Sequence, residues 1–392
     1  MAGAKRADKP LIVITGGAGG IGTALHGAFA EDYRVVAMDL KAKAEQAPGD
    51  FVPVDLTNDD SVELALNKLA EGYGRRIASV IHLAAYFDFT GEDHPLYRKL
   101  NVEGTRRLLR QLQAQDFEVE QFVFSSTMLV HRAGVPGERI DEETPIRPRW
   151  AYPQSKAETE AAIREAHGSI PVVLLRLAGL YSAEKAVPTL SHQIARIYER
   201  RLKGHLYAGD LEAGQSMLHE EDLVEAFVRT VERRRELSDE TAILIGEADP
   251  PGYDEIQDEV GRLIHGEGEW STLSVPKPIA KVGAWLESES EPLVPDDLDH
   301  GEKPFIRPFM IEMADDHYAL DLGKAKRLLG WAPKHELRRE LPRLVAALKR
   351  DPPGWYKANG ITPPDWMESA AEAEESAERL RRRHEEAYRS AH

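Results

Sequence analysis

The chain has 392 residues, enough for a large core and more than one domain. Its formal net charge of −17 at pH 7 argues against nucleic acid or an anionic membrane surface as a partner. It has no cysteine, which excludes disulfides, thiol catalysis and thiolate-bound zinc, and no other set of metal ligands is assigned.

The opening segment, MAGAKRADKPLIVITGG, carries an apolar run that is too short for a membrane span and breaks into glycines. A cytoplasmic protein is the expectation, with a small molecule as its partner and a homodimer as a compatible assembly. LIVIT (11–15) reads as the first strand, followed by the helical pattern IGTALHGAFAED. RVVAMD (34–39) reads as the second strand, and SVELALNKLAEGYG as a helix. ASVIHLAA (78–85), QFVFSS (121–126) and PVVLLRL (171–177) are further strands, separated by the helices NVEGTRRLLRQLQAQ and KAETEAAIREAHG. TAILIG (241–246) would add one more. Continuous Val/Ile/Leu runs fit strands covered on both faces, and strand–helix alternation indicates a doubly wound α/β domain with a parallel sheet.

Beyond about Tyr181 the alternation loosens. Residues 250–320 are proline-rich, with a helix expected at DEIQDEVGRLI (254–264) and another at GKAKRLLGW (323–331). DPPGWYKANGITPPDW (351–366) reads as a turn-rich linker, and the rest as a charged helical tail. The tail's glutamates come early and its arginines late, as the helix dipole favours, so its LRRRH segment is expected to be a solvated helix end.

Three stretches carry chemistry. In LIVITGGAGGIGTAL a strand runs through Gly16, Gly19 and Gly22 into a helix beginning near Gly20 and Ile21. Such a turn lets a pyrophosphate approach the backbone and rest on the exposed N–H groups of the helix start. Asp39 ends the next strand, where a carboxylate accepts from ribose hydroxyls and repels a 2′-phosphate. The expected cofactor is therefore NAD in preference to NADP. In RPRWAYPQSKAETEAAIREA, Pro153 fits only the first turn of a helix, which places Tyr152 and Lys156 at i and i+4 on one face.

Together these motifs resemble the extended short-chain dehydrogenase/reductases, the epimerase/dehydratase-like branch, over roughly residues 10–350. Asp55-Leu56 resembles that family's adenine contact, and Leu83, Ala84 and Ala85 its cofactor segment on the fourth strand. Asn101 matches a recurrent helix residue, and FSST (124–127) resembles the strand end that supplies a catalytic hydroxyl. Tyr152 with Lys156 matches the family's Tyr-x-x-x-Lys pair. HEEDLVEAF (219–227) and LDLGKAKRLLGWAP (320–333) resemble its two C-terminal signatures.

The resemblance implies a Rossmann domain at 8–180, its sheet completed by 215–250. It implies a substrate-binding region at 181–214 and 251–350, leaving 351–392 as linker and tail. It further implies NAD-dependent hydride transfer at a secondary alcohol or ketone carbon. Thr127, Tyr152 and Lys156 are the expected catalytic set, with Ser125 or Ser126 as alternative hydroxyls. Gly16, Gly19, Gly20, Ile21, Gly22, Asp39, Leu40, Asp55, Leu56, Leu83, Ala84, Ala85, Asn101, Ser125, Tyr152, Lys156 and Leu180 are the expected cofactor-binding set. Lys156 and the positive nicotinamide are expected to lower the tyrosine's pKa.

His219 is expected to be structural, and His131 carries no chemistry. Met128 and Leu129 stand where a dehydratase has an added acid/base pair. Gln215, Asp315 and Asp316 stand where nucleotide-sugar enzymes usually carry or flank arginines, with Arg307 as a replacement cation. The apolar run 275–287 resembles, loosely, the sterol-dehydrogenase-like relatives. An uncharged, partly apolar alcohol or ketone is thus expected over a nucleotide sugar. Nucleotide-sugar 4-epimerisation and an NAD-sensing binding protein are the alternatives.

Overall fold

The structure is a computed structural model that describes residues 9–41, 51–89, 91–200, 202–266, 268–278, 280, 308–364 and 366–367. Arg307, residues 281–287 of the apolar run and the tail from 368 onward lie outside the described residues.

The central sheet has strands β1 (Leu11–Thr15), β2 (Arg34–Asp39), β3 (Phe51–Pro53), β4 (Ser79–His82), β5 (Phe122–Thr127), β6 (Val172–Leu177) and β7 (Glu240–Ile245). It is a 7-stranded sheet in the order β7-β6-β5-β4-β1-β2-β3. Every adjacent pair is parallel. The strand order reverses between β1 and β4, and in a doubly wound sheet ligands bind beyond the carboxyl ends of the strands at that reversal. β3 was not foreseen. It is three residues long at the sheet edge, ends in Pro53 and shows no apolar run, and only an edge tolerates that proline.

Helices cover both faces because successive side chains on a strand point opposite ways. Ile12 and Ile14 enter one core, with Leu25 and Phe29 of α1 (Gly20–Phe29). Leu11 and Val13 enter the other, with Val62, Leu66 and Leu69 of α2 (Asp59–Tyr73) and Leu108 and Leu112 of α3 (Glu103–Ala114). Ile163 of α4 (Ala151–Ala166) joins the second core, and Phe227 and Val231 of α5 (Glu220–Glu232) join the first. Asn58 caps α2 by accepting from Ser61 N.

The chain divides into two compact units. One comprises Met1–Leu180, Gly209–Tyr253 and Arg307–Leu337, the other Tyr181–Ala208, Asp254–Ile306 and Arg338–His392. Residues 319–331, expected in the substrate-binding region, therefore belong to the sheet-bearing unit. Leu320, the α6 (Gly323–Leu329) residues Ala325 and Leu329, and Trp331 are all buried in its first core. Trp331 also donates through its indole nitrogen to Asp222 O at 3.0 Å.

The stretch expected as a turn-rich linker is instead partly helical. Asp351 accepts from Gly354 N, starting a helix at Pro352–Ala358 in the second unit, with Pro in its first turn. Trp355 and Tyr356 are buried there, and the Tyr356 hydroxyl donates to Glu199 at 2.6 Å. The prolines that suggested a linker mark a helix start. Among the described residues no helix is long and apolar enough to cross a membrane.

The buried indole of Trp331 sets a stability expectation. Trp331→Ala should cost about 3–5 kcal/mol, from lost apolar transfer, a cavity and an orphaned Asp222 carbonyl. Urea unfolding followed by circular dichroism measures that loss.

Candidate active site

The turn after β1 is built around close approaches. Gly16 has φ +69°, and a Cβ there would stand 2.7 Å from Ala84 N, in the segment that leaves β4. A Cβ at Gly22 would stand 2.6 Å from Gly17 Cα, so α1 could not begin against the turn. Gly17, which the spacing did not single out, is equally tight against Ala37 of β2. Gly19 caps α1 without any side-chain hydrogen bond, and Gly20, Ile21 and Gly22 form its first turn. Asp39 leans over this loop: its carboxylate accepts from Ala18 N at 3.1 Å and from Leu40 N at 2.8 Å. Leu40 beside it is largely exposed.

β4 and β5 bring the remaining groups to the same edge. Leu83 N donates to Thr15 O at 3.1 Å, tying the two segments that flank the strand-order reversal. Asn101 lies in a π-helical turn, Tyr97–Val102, ahead of α3. Its side-chain oxygen accepts from Tyr86 N at 2.7 Å, and its nitrogen donates to Tyr86 O and to Ser155 Oγ, both at 3.1 Å. Asn101 thus clamps the post-β4 segment to α4. Asp55 accepts from both the backbone and the hydroxyl of Thr57, which pull its carboxyl below the ordinary value. Leu56 beside it is buried, and Leu180 is half-buried.

Alternation along β5 distinguishes its three hydroxyls. Ser125 donates to His82 O at 3.2 Å, while Ser126, pointing the opposite way, donates to Glu160 at 2.6 Å. Thr127 shares the Ser125 face, and its oxygen accepts from Leu129 N at 3.3 Å. Of the two alternative hydroxyls, Ser126 is therefore turned into the protein interior.

Tyr152 and Lys156 occupy the first two turns of α4, where Pro153 fits because the first turn has no N–H partner to lose. Lys156 is buried and donates to Ser125 O at 2.7 Å, with its ammonium 5.8 Å from the Tyr152 ring centre. Burial pulls the Lys156 pKa down to about 7, although Glu160 pushes it the other way. The Tyr152 phenol is pushed up by burial, with Tyr97 adding to the effect. That is opposite to the lowering the sequence suggested. In the cofactor-free chain the ammonium is bonded to a carbonyl, and burial disfavours its charged form.

Beneath these groups lies a buried fork. Arg176 of β6 donates to Glu160 of α4 at 3.0 and 2.7 Å. Burial alone would raise the Glu160 carboxyl, but Arg176, Ser126 and Arg164 outweigh it and hold the group below its ordinary value. Arg176 also reaches His131 Nε2 at 3.0 Å, and His131 Nδ1 lies 2.6 Å from Thr144 O. Burial and the Arg176 charge pull His131 down to about 4, so the ring is neutral and structural. His82, buried between Thr15 and Thr105 at 2.6 and 2.8 Å, is pulled down to about 3 by burial and Lys156.

His82 falls in the HLAA (82–85) segment without a role of its own, and the Glu160–Arg176 pair lies outside every motif. The available signal was Arg176 itself, a lone cation within VVLLRL, because a charge in a doubly covered strand demands a buried partner.

The acidic pair Asp315 and Asp316, expected to oppose a diphosphate, is engaged within the protein. Asp316 is buried and ion-paired with Arg149, and Asp315 accepts from Asp210 N at 2.8 Å. His219 caps α5 by accepting from Glu221 N, a structural role. His219, Glu221 and His335 bring potential ligand atoms within 4.8 Å of one another. The two imidazoles stack at 4.0 Å and 24°.

A glycine cradle in which Gly16, Gly17 and Gly22 have no room for a Cβ, a helix start with no side-chain cap and a carboxylate over the loop fit a dinucleotide. Gly16, Gly19 and the start of α1 would hold its pyrophosphate and Asp39 its ribose. The chain matches the NAD dependent epimerase/dehydratase family over residues 12–246, and it belongs to that family. It is an NAD-dependent enzyme of the extended short-chain dehydrogenase/reductase type.

Among curated relatives, a Saccharomyces cerevisiae sterol-4-alpha-carboxylate 3-dehydrogenase (decarboxylating) is 24% identical over 295 residues, 71% of this chain and 77% of that one. A Kitasatospora kifunensis dTDP-6-deoxy-L-talose 4-dehydrogenase (NAD(P)(+)) is 30% identical over 202 residues, 51% of this chain and 60% of that one. Among solved structures, the Thermus thermophilus UDP-glucose 4-epimerase complex with NAD superposes with a TM-score of 0.60 at 23% identity. The match covers 87% of this chain and 99% of that one.

The depressed lysine gives a pH signature. Between pH about 7 and 10.5 the unfolded chain holds more protons at Lys156 than the folded one. Stability of the cofactor-free protein should therefore rise with pH across that window. Lys156→Met should flatten the rise and stabilise the protein most at its lower end. Urea midpoints for both proteins at pH 7 and pH 9 measure this difference.

Proposed function

We propose that the protein oxidises a secondary alcohol, or reduces the matching ketone, with Tyr152 as the acid/base, Thr127 as the substrate-oxygen ligand and Lys156 as the group that positions both. The observation that supports this most directly is the Lys156–Ser125 bond. It fixes the start of α4, which carries Tyr152, against the end of β5, which carries Thr127. NAD, when bound, supplies the two-electron acceptor. In the oxidation, the alcohol proton passes to the Tyr152 oxygen in its phenolate form while the carbon's hydrogen leaves with both electrons for that acceptor. The Thr127 oxygen accepts from Leu129 N, which leaves its own O–H available to donate to the substrate oxygen.

We further read the cofactor as NAD in preference to NADP, because Asp39 would face a 2′-phosphate with a like charge. Substrate binding by the expected region, 181–214 and 251–350, is part of this proposal, with its 319–331 segment packed in the core of the sheet-bearing unit. Nucleotide-sugar 4-epimerisation is the second reading, supported by the sugar-nucleotide enzymes among the structural neighbours. A pure NAD sensor would need only the glycine cradle and Asp39, so an intact Thr127, Tyr152 and Lys156 set speaks for turnover.

Two measurements test the proposal. Tyr152→Phe should lower turnover by about a thousandfold and leave the NAD dissociation constant within about twofold, because only the proton-carrying oxygen is lost. Lys156→Ala should weaken both. Retention of most activity by Tyr152→Phe would refute the acid/base assignment. Calorimetric titration should show NAD binding at least about tenfold tighter than NADP, with Asp39→Asn narrowing the gap. Equal affinities in the unmodified protein would remove Asp39 from that role.

A further inference from the structure

A chain of aromatic rings adjoins Tyr152. Phe87 meets the Tyr152 ring edge-on at 4.7 Å and 79°. Trp150 lies 5.5 Å from Tyr152 on another side. Phe309 lies 5.5 Å and Phe89 5.6 Å from Trp150, and those two are 6.2 Å apart. Gly91 makes room for the set: a Cβ there would stand 2.3 Å from the Phe309 ring.

These rings come from three separate parts of the sheet-bearing unit, and their burial is graded. Trp150 is 8% exposed, whereas Phe87 is 52% exposed. An aromatic ring left half in water, edge-on to the residue that exchanges a proton, presents apolar surface where a substrate carbon skeleton must lie. The same segment carries Asp88, which accepts from Tyr86, then Glu92 and Asp93, and His94, which stacks on Tyr86 at 4.5 Å. Arg149, next to Trp150, is paired with Asp316.

We propose that Phe87, Phe89, Trp150 and Phe309 form a subsite for a flat, uncharged ring system. The substrate is then a secondary alcohol or ketone carried on a fused or aromatic ring skeleton. This inference rests on Tyr152 being the proton-exchanging group. Ring substrates gain from such a wall through edge-to-face and offset stacking at centroid distances of about 4.5–7 Å. A diphosphate group gains nothing from apolar phenyl rings, which offer it neither charge nor hydrogen-bond donors.

The test uses the full chain loaded with cofactor and three probes: 2-tetralone, 2-butanone and UDP-glucose. With NADH, kcat/KM for 2-tetralone should exceed that for 2-butanone by about a hundredfold. Phe87→Ala should lower that ratio about tenfold, and Phe87→Tyr should restore it. In thermal-shift measurements with NAD bound, 2-tetralone should stabilise the protein more than UDP-glucose does, also in the Tyr152→Phe protein. Loss of turnover in Tyr152→Phe with a ratio unmoved by Phe87→Ala would overturn the subsite alone. Retained turnover in Tyr152→Phe, with 2-tetralone stabilisation still dependent on Phe87, would overturn the proton-transfer reading and leave the subsite standing. UDP-glucose as the stronger stabiliser, or no stabilisation by 2-tetralone, would overturn the subsite.

Discussion

The arrangement of the site depends on the buried fork between Glu160 and Arg176. A charge in a doubly covered strand is costly to desolvate, and the cost is met only when a partner satisfies it with good geometry. Arg176 on β6 meets that condition through two bonds to Glu160 on α4, and Ser126 on β5 fills a further acceptor position on the same carboxylate. Two strands and one helix are thereby locked in register one turn below Lys156. The fork also fixes His131 as a neutral ring, and with it the segment that follows Thr127.

A second constraint operates at the strand-order reversal. The glycine turn after β1 and the segment after β4 approach so closely that Gly16 has no room for a side chain against the Ala84 backbone. Asn101 and His82 extend that contact to α4 and β1 through hydrogen bonds made within the protein itself. The glycine turn and the residues proposed for proton transfer are thus tied to one edge of the sheet. Ties of this kind hold reacting groups in place before the substrate arrives.

Local electrostatics do not by themselves prepare the tyrosine. Burial raises the phenol and depresses the lysine, so a charge brought by the cofactor would complete the site. The acidic pair at 315 and 316 shows the same dependence on context. Two carboxylates that look repulsive in the chain are satisfied by Arg149 and by Asp210 N once folded.

By itself, the sequence determined the doubly wound sheet, the glycine cradle with Asp39, and the pairing of Tyr152 with Lys156 on one helical face. Those features are local: they follow from apolar runs, from the need for absent side chains in a tight turn, and from a spacing of four on a helix. Tertiary structure alone decided what depends on distant partners. It turned Ser126 inward and left Thr127 on the Ser125 face, because alternation matters only once the opposite face is known to hold Glu160. It made Asn101 a clamp between Tyr86 and Ser155, turned the Pro352–Ala358 stretch into a helix, and brought Phe87 and Trp150 against Tyr152 with Phe309 against Trp150. Residues so far apart in the chain leave no periodic signal, since their contact is set by which elements the sheet brings together and not by any spacing along the chain.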